Sequence, residues 1–439
     1  MPSLFIRNAT IVTMDDDRNI FEGSLLIGGG LIMRVIEGIT TDDNLARLAL
    51  PPTTEIIDAS GLIVMPGMIN THGHAAMTLF RGFADDLPLQ EWLEEKIWPL
   101  ENLLTAEDIF WGTMLGIAEM IRSGTTTFTD MYFSMDQVAR AVEITGIRAV
   151  LAHGIVGTSG RLEKDLYDTE KLVENWHGGA GGRITVTLGP HAPYTCPPES
   201  LKRIISLAEK VNLPIQIHMS ESRLEIENCL KEHGVTPVEL VDRVGLFEGR
   251  KVICAHCVHL RNHDIDILAA RKAGVAHNPT SNLKLGSGIA PVIDMLQAGI
   301  KVGIGTDGAA SNNNLDMFEE MRLAALLPKG LEENPSLLPA AKALQLATTN
   351  GAEILFLPKT GVIEEGYRAD IIGITRDLPH LQPPHDVEAH LVYSASGSDV
   401  ELSIVDGRIL MKEGKLVTMD EERIFFETDR RARRLATDN

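Results

Sequence analysis

A chain of 439 residues is long enough for a large core, and 44% hydrophobic with 23% charged residues is ordinary for a soluble globular protein. With 40 basic against 61 acidic side chains the formal charge is −21, which disfavours a nucleic-acid partner because a phosphate backbone needs a basic footprint. No stretch approaches the roughly 18 uninterrupted apolar residues of a membrane span, so no membrane partner is expected.

The opening Met1-Pro2-Ser3-Leu4-Phe5-Ile6-Arg7 lacks the basic segment and long apolar core of a secretory signal, and the cytoplasm is the expected compartment. Residues 3–14, 24–35 and 55–58 read as short strands separated by turn signals such as Asp15-Asp16-Asp17 and Gly28-Gly29-Gly30. From residue 62 the pattern changes to short apolar strands alternating with longer helical stretches, as in a parallel sheet built from βαβ units. Eight such strands are predicted, at 62–69, 125–129, 148–152, 184–188, 214–217, 251–255, 274–276 and 300–305, and eight is the number that closes a (β/α)8 TIM barrel. Between the first two, Thr105 is the expected N-cap of a helix over Ala106–Ser123, with Gly124 just past its end. After residue 357 the pattern reverts to β, over Ala369–Ile374, Val387–Tyr393 and Val400–Lys412 around the turn Asp406-Gly407. The expected organisation is a β-sandwich from both chain ends, residues 1–66 and 358–439, flanking an α/β barrel over 67–357. The charged run Glu421–Arg434 reads as a solvated helix or fraying tail.

The four cysteines are too few and scattered for a disulfide framework. Cys254 and Cys257 form a C-x-x-C, but in a strand-like segment their odd separation puts them on opposite faces, and they read as core thiols.

Active sites of such barrels form at the C-terminal ends of the strands. The first predicted strand ends in Asn70-Thr71-His72-Gly73-His74; on extended backbone two residues of separation put both imidazoles on one face, where they can share a metal. The fifth ends in His218-Met219-Ser220-Glu221, the sixth at His256, and the eighth in Gly305-Thr306-Asp307. Singly, each could be a satisfied loop histidine or a helix cap. Together, three imidazoles and one carboxylate at the strand ends of one barrel make a site for a divalent ion that leaves room for a water.

This pattern resembles the amidohydrolase superfamily, whose members carry His-x-His after the first barrel strand, histidines after the fifth and sixth, and Asp after the eighth. Where binuclear relatives carry a carboxylated lysine after the fourth strand, this chain has Leu188-Gly189-Pro190-His191-Ala192-Pro193, so one metal is expected. His218-Met219-Ser220-Glu221 and Pro190-His191-Ala192-Pro193-Tyr194 look like the 5′-methylthioadenosine/S-adenosylhomocysteine deaminase family.

The resemblance implies one divalent ion, zinc with iron(II) as the alternative, held by His72, His74, His218 and Asp307. Such an ion lowers the pKa of a water from 15.7 toward about 7. Asp307 would then accept the water's proton, His256 would orient the nucleophile, and Glu221 would protonate the purine ring nitrogen. The expected reaction is deamination at C6 of an adenosine-type thioether. Similarity assigns Glu101 and His191 to the sugar and Trp92 to the pocket wall. For a substrate carboxylate an arginine is wanted. Arg148 begins the third strand, at the wrong end of the barrel, so Arg161, in the loop on the active face, is preferred. The partner is thus a small nucleoside, and a homo-oligomer is expected. Guanine deamination or triazine hydrolysis by the same ion is the enzymatic alternative, and a scaffold barrel the non-enzymatic one, disfavoured because every ligand is present. Zinc deaminases of the His-x-Glu and Pro-Cys-x-x-Cys type are excluded, since no such pairing occurs.

Overall fold

The computed structural model describes residues 3–437. Two sheets organise it. One is parallel, with eight strands in chain order: β6 (Met68–Asn70), β7 (Thr125–Tyr132), β8 (Arg148–Ile155), β9 (Ile184–Pro190), β10 (Ile215–Met219), β11 (Val252–His256), β12 (Gly274–His277) and β13 (Lys301–Ile304). The backbone just past β6 meets β13, with Thr71 N–H donating to the Ile304 carbonyl at 2.9 Å and Asp307 N–H to the His72 carbonyl at 3.0 Å, so the barrel is nearly closed. Helices cover its outside. Its strands are buried along almost their whole length, which is why they read as continuous apolar or Thr-rich runs rather than as alternation.

The second sheet is mixed and comes from both ends of the chain: β1 (Leu4–Val12), β2 (Ile20–Gly28), β3 (Leu31–Glu37), β4 (Glu55–Asp58) and β5 (Leu62–Pro66), then β14 (Ile371–Thr375), β15 (Val400–Val405), β16 (Arg408–Lys412) and β17 (Lys415–Leu416). The expected sandwich is thus one continuous hydrogen-bonded sheet. It curls on itself, because Leu31 bridges Arg368 and the two arms share a core of Ile6, Leu25, Ile32, Val64, Ile371 and Ile404.

Two predicted elements differ. The strand over 62–69 is two strands: Leu62–Pro66 pairs antiparallel with β14 in the mixed sheet, and only Met68–Asn70 enters the barrel. Gly67 is the joint, where a Cβ would stand 2.1 Å from the Thr126 side chain. The stretch Val387–Tyr393 is a helix instead of a strand: the Asp386 side chain accepts the Ala389 N–H at its start, and the adjacent Leu391 and Val392 are its buried residues. Local capping outweighs β-propensity there.

The helix Ala106–Arg122 begins in a capping box, Thr105 and Asp108 each accepting the other's backbone N–H. The charged C-terminal run is an ordered helix, Glu421–Thr437, which buries Ile424, Thr428, Arg431 and Leu435 and places Arg434 on Asp108 at 2.7 Å. Arg148 lies buried at the N-terminal rim, giving two hydrogen bonds to Asp370, at 2.7 and 3.1 Å, between barrel and mixed sheet. It is removed from the cavity, as its place at the start of a strand required. All four cysteines are buried and unpaired.

Candidate active site

His72 and His74 lie just beyond β6, on irregular backbone that still turns both rings to one side, their centroids 5.0 Å apart. Asn70 anchors this turn to the end of β13, accepting the Thr306 N–H at 3.0 Å and donating to the Thr306 hydroxyl at 2.7 Å. His218 projects from β10, His256 from the last residue of β11, and Asp307 from the turn after β13. Ser220, His256 and Asp307 all have left-handed backbone, with φ of 51°, 71° and 64°, conformations that non-glycine residues adopt only where the surroundings hold them.

The side chains converge on one point. His74 Nε2 lies 3.2 Å and His72 Nε2 3.5 Å from Asp307 Oδ1, and the Nε2 atoms of His74 and His218 are 3.3 Å apart. An ion about 2.1 Å from four tetrahedral ligands spaces them by about 3.4 Å. The outward nitrogens are already used, since His74 Nδ1 donates to the Met131 carbonyl at 2.7 Å and His218 Nδ1 to the His191 carbonyl at 2.6 Å. That leaves each Nε2 lone pair facing inward. Asp307 Oδ2 accepts from the Ser281 and Ser311 hydroxyls, at 2.6 and 2.7 Å, which turns Oδ1 to the same point. His72 Nε2 is buried and has no hydrogen-bond partner among the described residues. Such a donor set fits a divalent ion. His256 stands beside it, its ring centroid 5.5 Å from that of His218, with Nδ1 bonded to Asn282 at 2.9 Å and Nε2 3.8 Å from Glu221.

Electrostatics point the same way. Burial alone would lower His74, yet Asp307, the Met131 carbonyl and Asp130 raise it to about 9. Burial pushes His72 down to about 4 and His218 well below the usual imidazole range, with neighbouring imidazoles adding to the effect. Burial would raise Asp307, but His72 and His74 hold its carboxyl well below the carboxylate range. The centre asks for positive charge at one point, where a metal ion or a proton can supply it.

A cavity of about 720 Å³ opens over this centre, lined by His74, His218, Glu221 and Asp307 and by Trp92, Glu101, Arg161 and His191. Its size suits a nucleoside-sized ligand. Trp92 is buried in the helical segment that follows the first histidines. Glu101 accepts the Tyr132 hydroxyl at 2.7 Å, and burial lifts its carboxyl to about 7. His191 bonds Thr195 through Nδ1 at 2.9 Å, and burial lowers it to about 4. Arg161 is exposed at the start of the helix Leu162–Trp176. Glu221 is buried, and burial together with Asp307 raises its carboxyl. Each residue picked out by the strand-end reading therefore meets at this centre or lines its cavity.

Several residues that the sequence reading passed over complete the surroundings. Tyr132 was beyond the predicted end of its strand, which runs on to residue 132. Glu225 accepts the backbone N–H of Ser220 at 3.0 Å and of Glu221 at 2.8 Å, so it fixes the turn that carries Glu221. Asn282, Ser281 and Ser311 hold His256 and Asp307. Only Glu225 had a legible signal, as a second carboxylate four residues after Glu221.

Residues 63–410 match the model of the amidohydrolase family. A 5-methylthioadenosine/S-adenosylhomocysteine deaminase of Dictyoglomus thermophilum is 55% identical over 377 residues, 86% of this chain and 88% of the relative. One from Desulforudis audaxviator is 51% identical over 436 residues, 98% and 99% of the two chains. Among solved structures, an adenosine deaminase from Xanthomonas campestris with bound zinc superposes with a TM-score of 0.93 at 32% identity, covering 99% of this chain and 98% of that one.

Proposed function

Because the chain belongs to the amidohydrolase family and to the methylthioadenosine/S-adenosylhomocysteine deaminase branch of it, we propose that it removes the C6 amine of 5′-methylthioadenosine, S-adenosylhomocysteine or both, releasing ammonia and the inosine-type product. The observation that carries this reading is the convergence of His72, His74, His218 and Asp307 with Glu221 facing the same cavity. Those four residues would hold one ion, zinc by preference and iron(II) as the alternative. The ion, when bound, supplies hydroxide at neutral pH by lowering the pKa of a water toward about 7.

The remaining steps belong to the chain's own groups. Asp307 takes a proton at Oδ1 while Ser281 and Ser311 keep Oδ2 occupied. His256, its Nδ1 tied to Asn282, turns Nε2 toward the site and stabilises developing negative charge. Glu221 protonates N1 of the purine as oxygen adds to C6, a role favoured by burial and the Asp307 charge, which raise its proton affinity. A proton moved to the exocyclic nitrogen lets ammonia leave. Trp92 lines the nucleoside's space, Glu101 and His191 meet the sugar hydroxyls, and Arg161 serves a carboxylate on the 5′ substituent. A cytoplasmic homo-oligomer remains part of this reading.

The test is ammonia release from methylthioadenosine, S-adenosylhomocysteine, adenosine, guanine and a chlorotriazine, with metal content measured on the same sample. Turnover concentrated on the adenosine thioethers is the expected result. Metal-replete protein that leaves every adenosine derivative intact would remove the proposal.

A further inference from the structure

A second group of ligand-type atoms lies on the same cavity. His153, Asp165 and Asp168 each offer one atom within 4.8 Å of the other two. His153 comes from β8, and the two aspartates stand three apart on one face of the helix Leu162–Trp176. His153 and Asp165 are buried, at 7% and 5% exposure. Among the described residues the Nε2 of His153 has no hydrogen-bond partner, and it lies 3.6 Å from Asp165 Oδ1, too far to bond it. A buried nitrogen left open beside a buried carboxylate is costly unless a ligand completes it.

We propose that this trio binds the ammonium of an amine-bearing 5′ substituent of the substrate, an inference that rests on the deaminase reading above. A primary ammonium has three N–H donors and no acceptor, and the trio offers two carboxylates and, in the Nδ1–H tautomer of His153, an imidazole nitrogen as acceptors on one wall. Asp168 already takes the ammonium of Lys164, whose side chain is 69% exposed and leaves at little cost. Arg161 opens the same helix and faces the same cavity. The wall therefore presents two carboxylates and an imidazole, with the Arg161 guanidinium one helical turn before Asp165 and about two turns before Asp168, a charge pattern complementary to an α-amino-acid tail. A neutral methylthio tail would leave the buried His153 Nε2 without a partner. The trio thus sets selectivity among thioethers that share one reaction centre.

The experiment compares kcat/KM for four adenosine 5′-thioethers: methyl, aminopropyl, carboxypropyl and homocysteinyl. Wild-type protein should favour the aminopropyl over the methyl compound by roughly tenfold or more, the range of charge-assisted hydrogen bonds. Asp165→Asn should bring that ratio down to within about threefold of unity, and Asp168→Asn, at a more exposed position, should lower it in the same direction. Taking a ratio on one protein sample removes any loss of folded enzyme from the result. Equal rates on the aminopropyl and methyl compounds in wild type, or a ratio unmoved in both variants, would overturn the inference while leaving the deaminase reading intact. Inactivity on all four compounds would overturn both. Zinc binding that shows a second equivalent, lost in Asp165→Asn, would also overturn it, in favour of a metal at the trio.

Discussion

The two rims of the barrel treat charge in opposite ways. At the N-terminal rim Arg148 gives Nε and Nη2 to Asp370 and Nη1 to the Gly182 carbonyl, while Asp370 also takes the Asp406 N–H at 2.7 Å and Asp406 takes Arg368. Each nitrogen of the Arg148 guanidinium is thereby used. At the C-terminal rim, buried His72 Nε2, His153 Nε2 and Asp130 Oδ2 have no hydrogen-bond partners among the described residues. Burial lifts the Asp130 carboxyl to about 7 against His74 and the Ala75 N–H, and burial together with the Glu221 charge lifts Glu225 to about 7 against the backbone N–H groups that Glu225 accepts. Saturated charges hold two sheets together; the open ones wait for ligands and protons. Both sets are buried, so burial alone would not have told them apart.

Breaking each rim should therefore have different consequences. The largest effect is expected for His72→Ala, which removes one of four proposed ligands. Ion affinity should fall by about two orders of magnitude or more, given that loss of a group merely supporting a ligand costs roughly 10–100-fold. Metal analysis after dialysis against a weak chelator checks this, with circular dichroism expected to stay that of the folded protein. Arg148→Ala should do the reverse, costing about 3–5 kcal/mol of stability because it leaves Asp370 buried without its partner, while the folded fraction keeps its metal. Denaturant unfolding measures that loss. Arg148→Ala that binds no metal though folded would erase the distinction between the rims.

A smaller, pH-dependent effect should come from Glu320, which burial raises from an ordinary 4.5 to about 8, against hydrogen bonds from Thr280 and Asn312. The folded protein holds a proton there that the unfolded chain gives up near pH 4.5. The associated stability is thus fully present below about pH 4.5 and is lost as pH rises through about 8. Thermal unfolding between pH 5 and 8 should show a shallower decline in Glu320→Gln than in the parent. An identical slope in both would remove Glu320 as a source of the pH dependence. Smallest of all, Thr105→Ala should cost about 1 kcal/mol through the lost cap, without affecting either rim.

How much of this was legible in the sequence follows from the same contrast. The barrel was readable because its strands are buried on both sides, so each appears as an apolar run whose end points to one rim. Reading the residues at those ends together brought His72, His74, His218, Glu221, His256 and Asp307 into one place without any packing information. Gly67 was harder: Pro66-Gly67 is a turn dipeptide, but with apolar residues on both sides it reads as an interruption in one strand rather than as the hand-over between two sheets. Val387–Tyr393 was misread for a related reason: a short apolar segment has no clear period, and its cap, Asp386, is a single residue. Glu101 and His191 came from family resemblance rather than from spacing. The trio His153, Asp165 and Asp168 was invisible, since it joins a strand residue to two helix residues that only the closed barrel brings together.

The most direct measurement sets wild type beside Glu221→Gln. Both are loaded with zinc, metal content is determined, and loss of the adenine absorbance of methylthioadenosine is followed. The expected result is one ion per chain in each protein, rapid conversion by wild type, and a rate reduced roughly 10²–10⁴-fold in the variant, the usual worth of a positioned general acid. A variant that keeps full turnover, or a metal-replete wild type that leaves methylthioadenosine unchanged, would contradict the account.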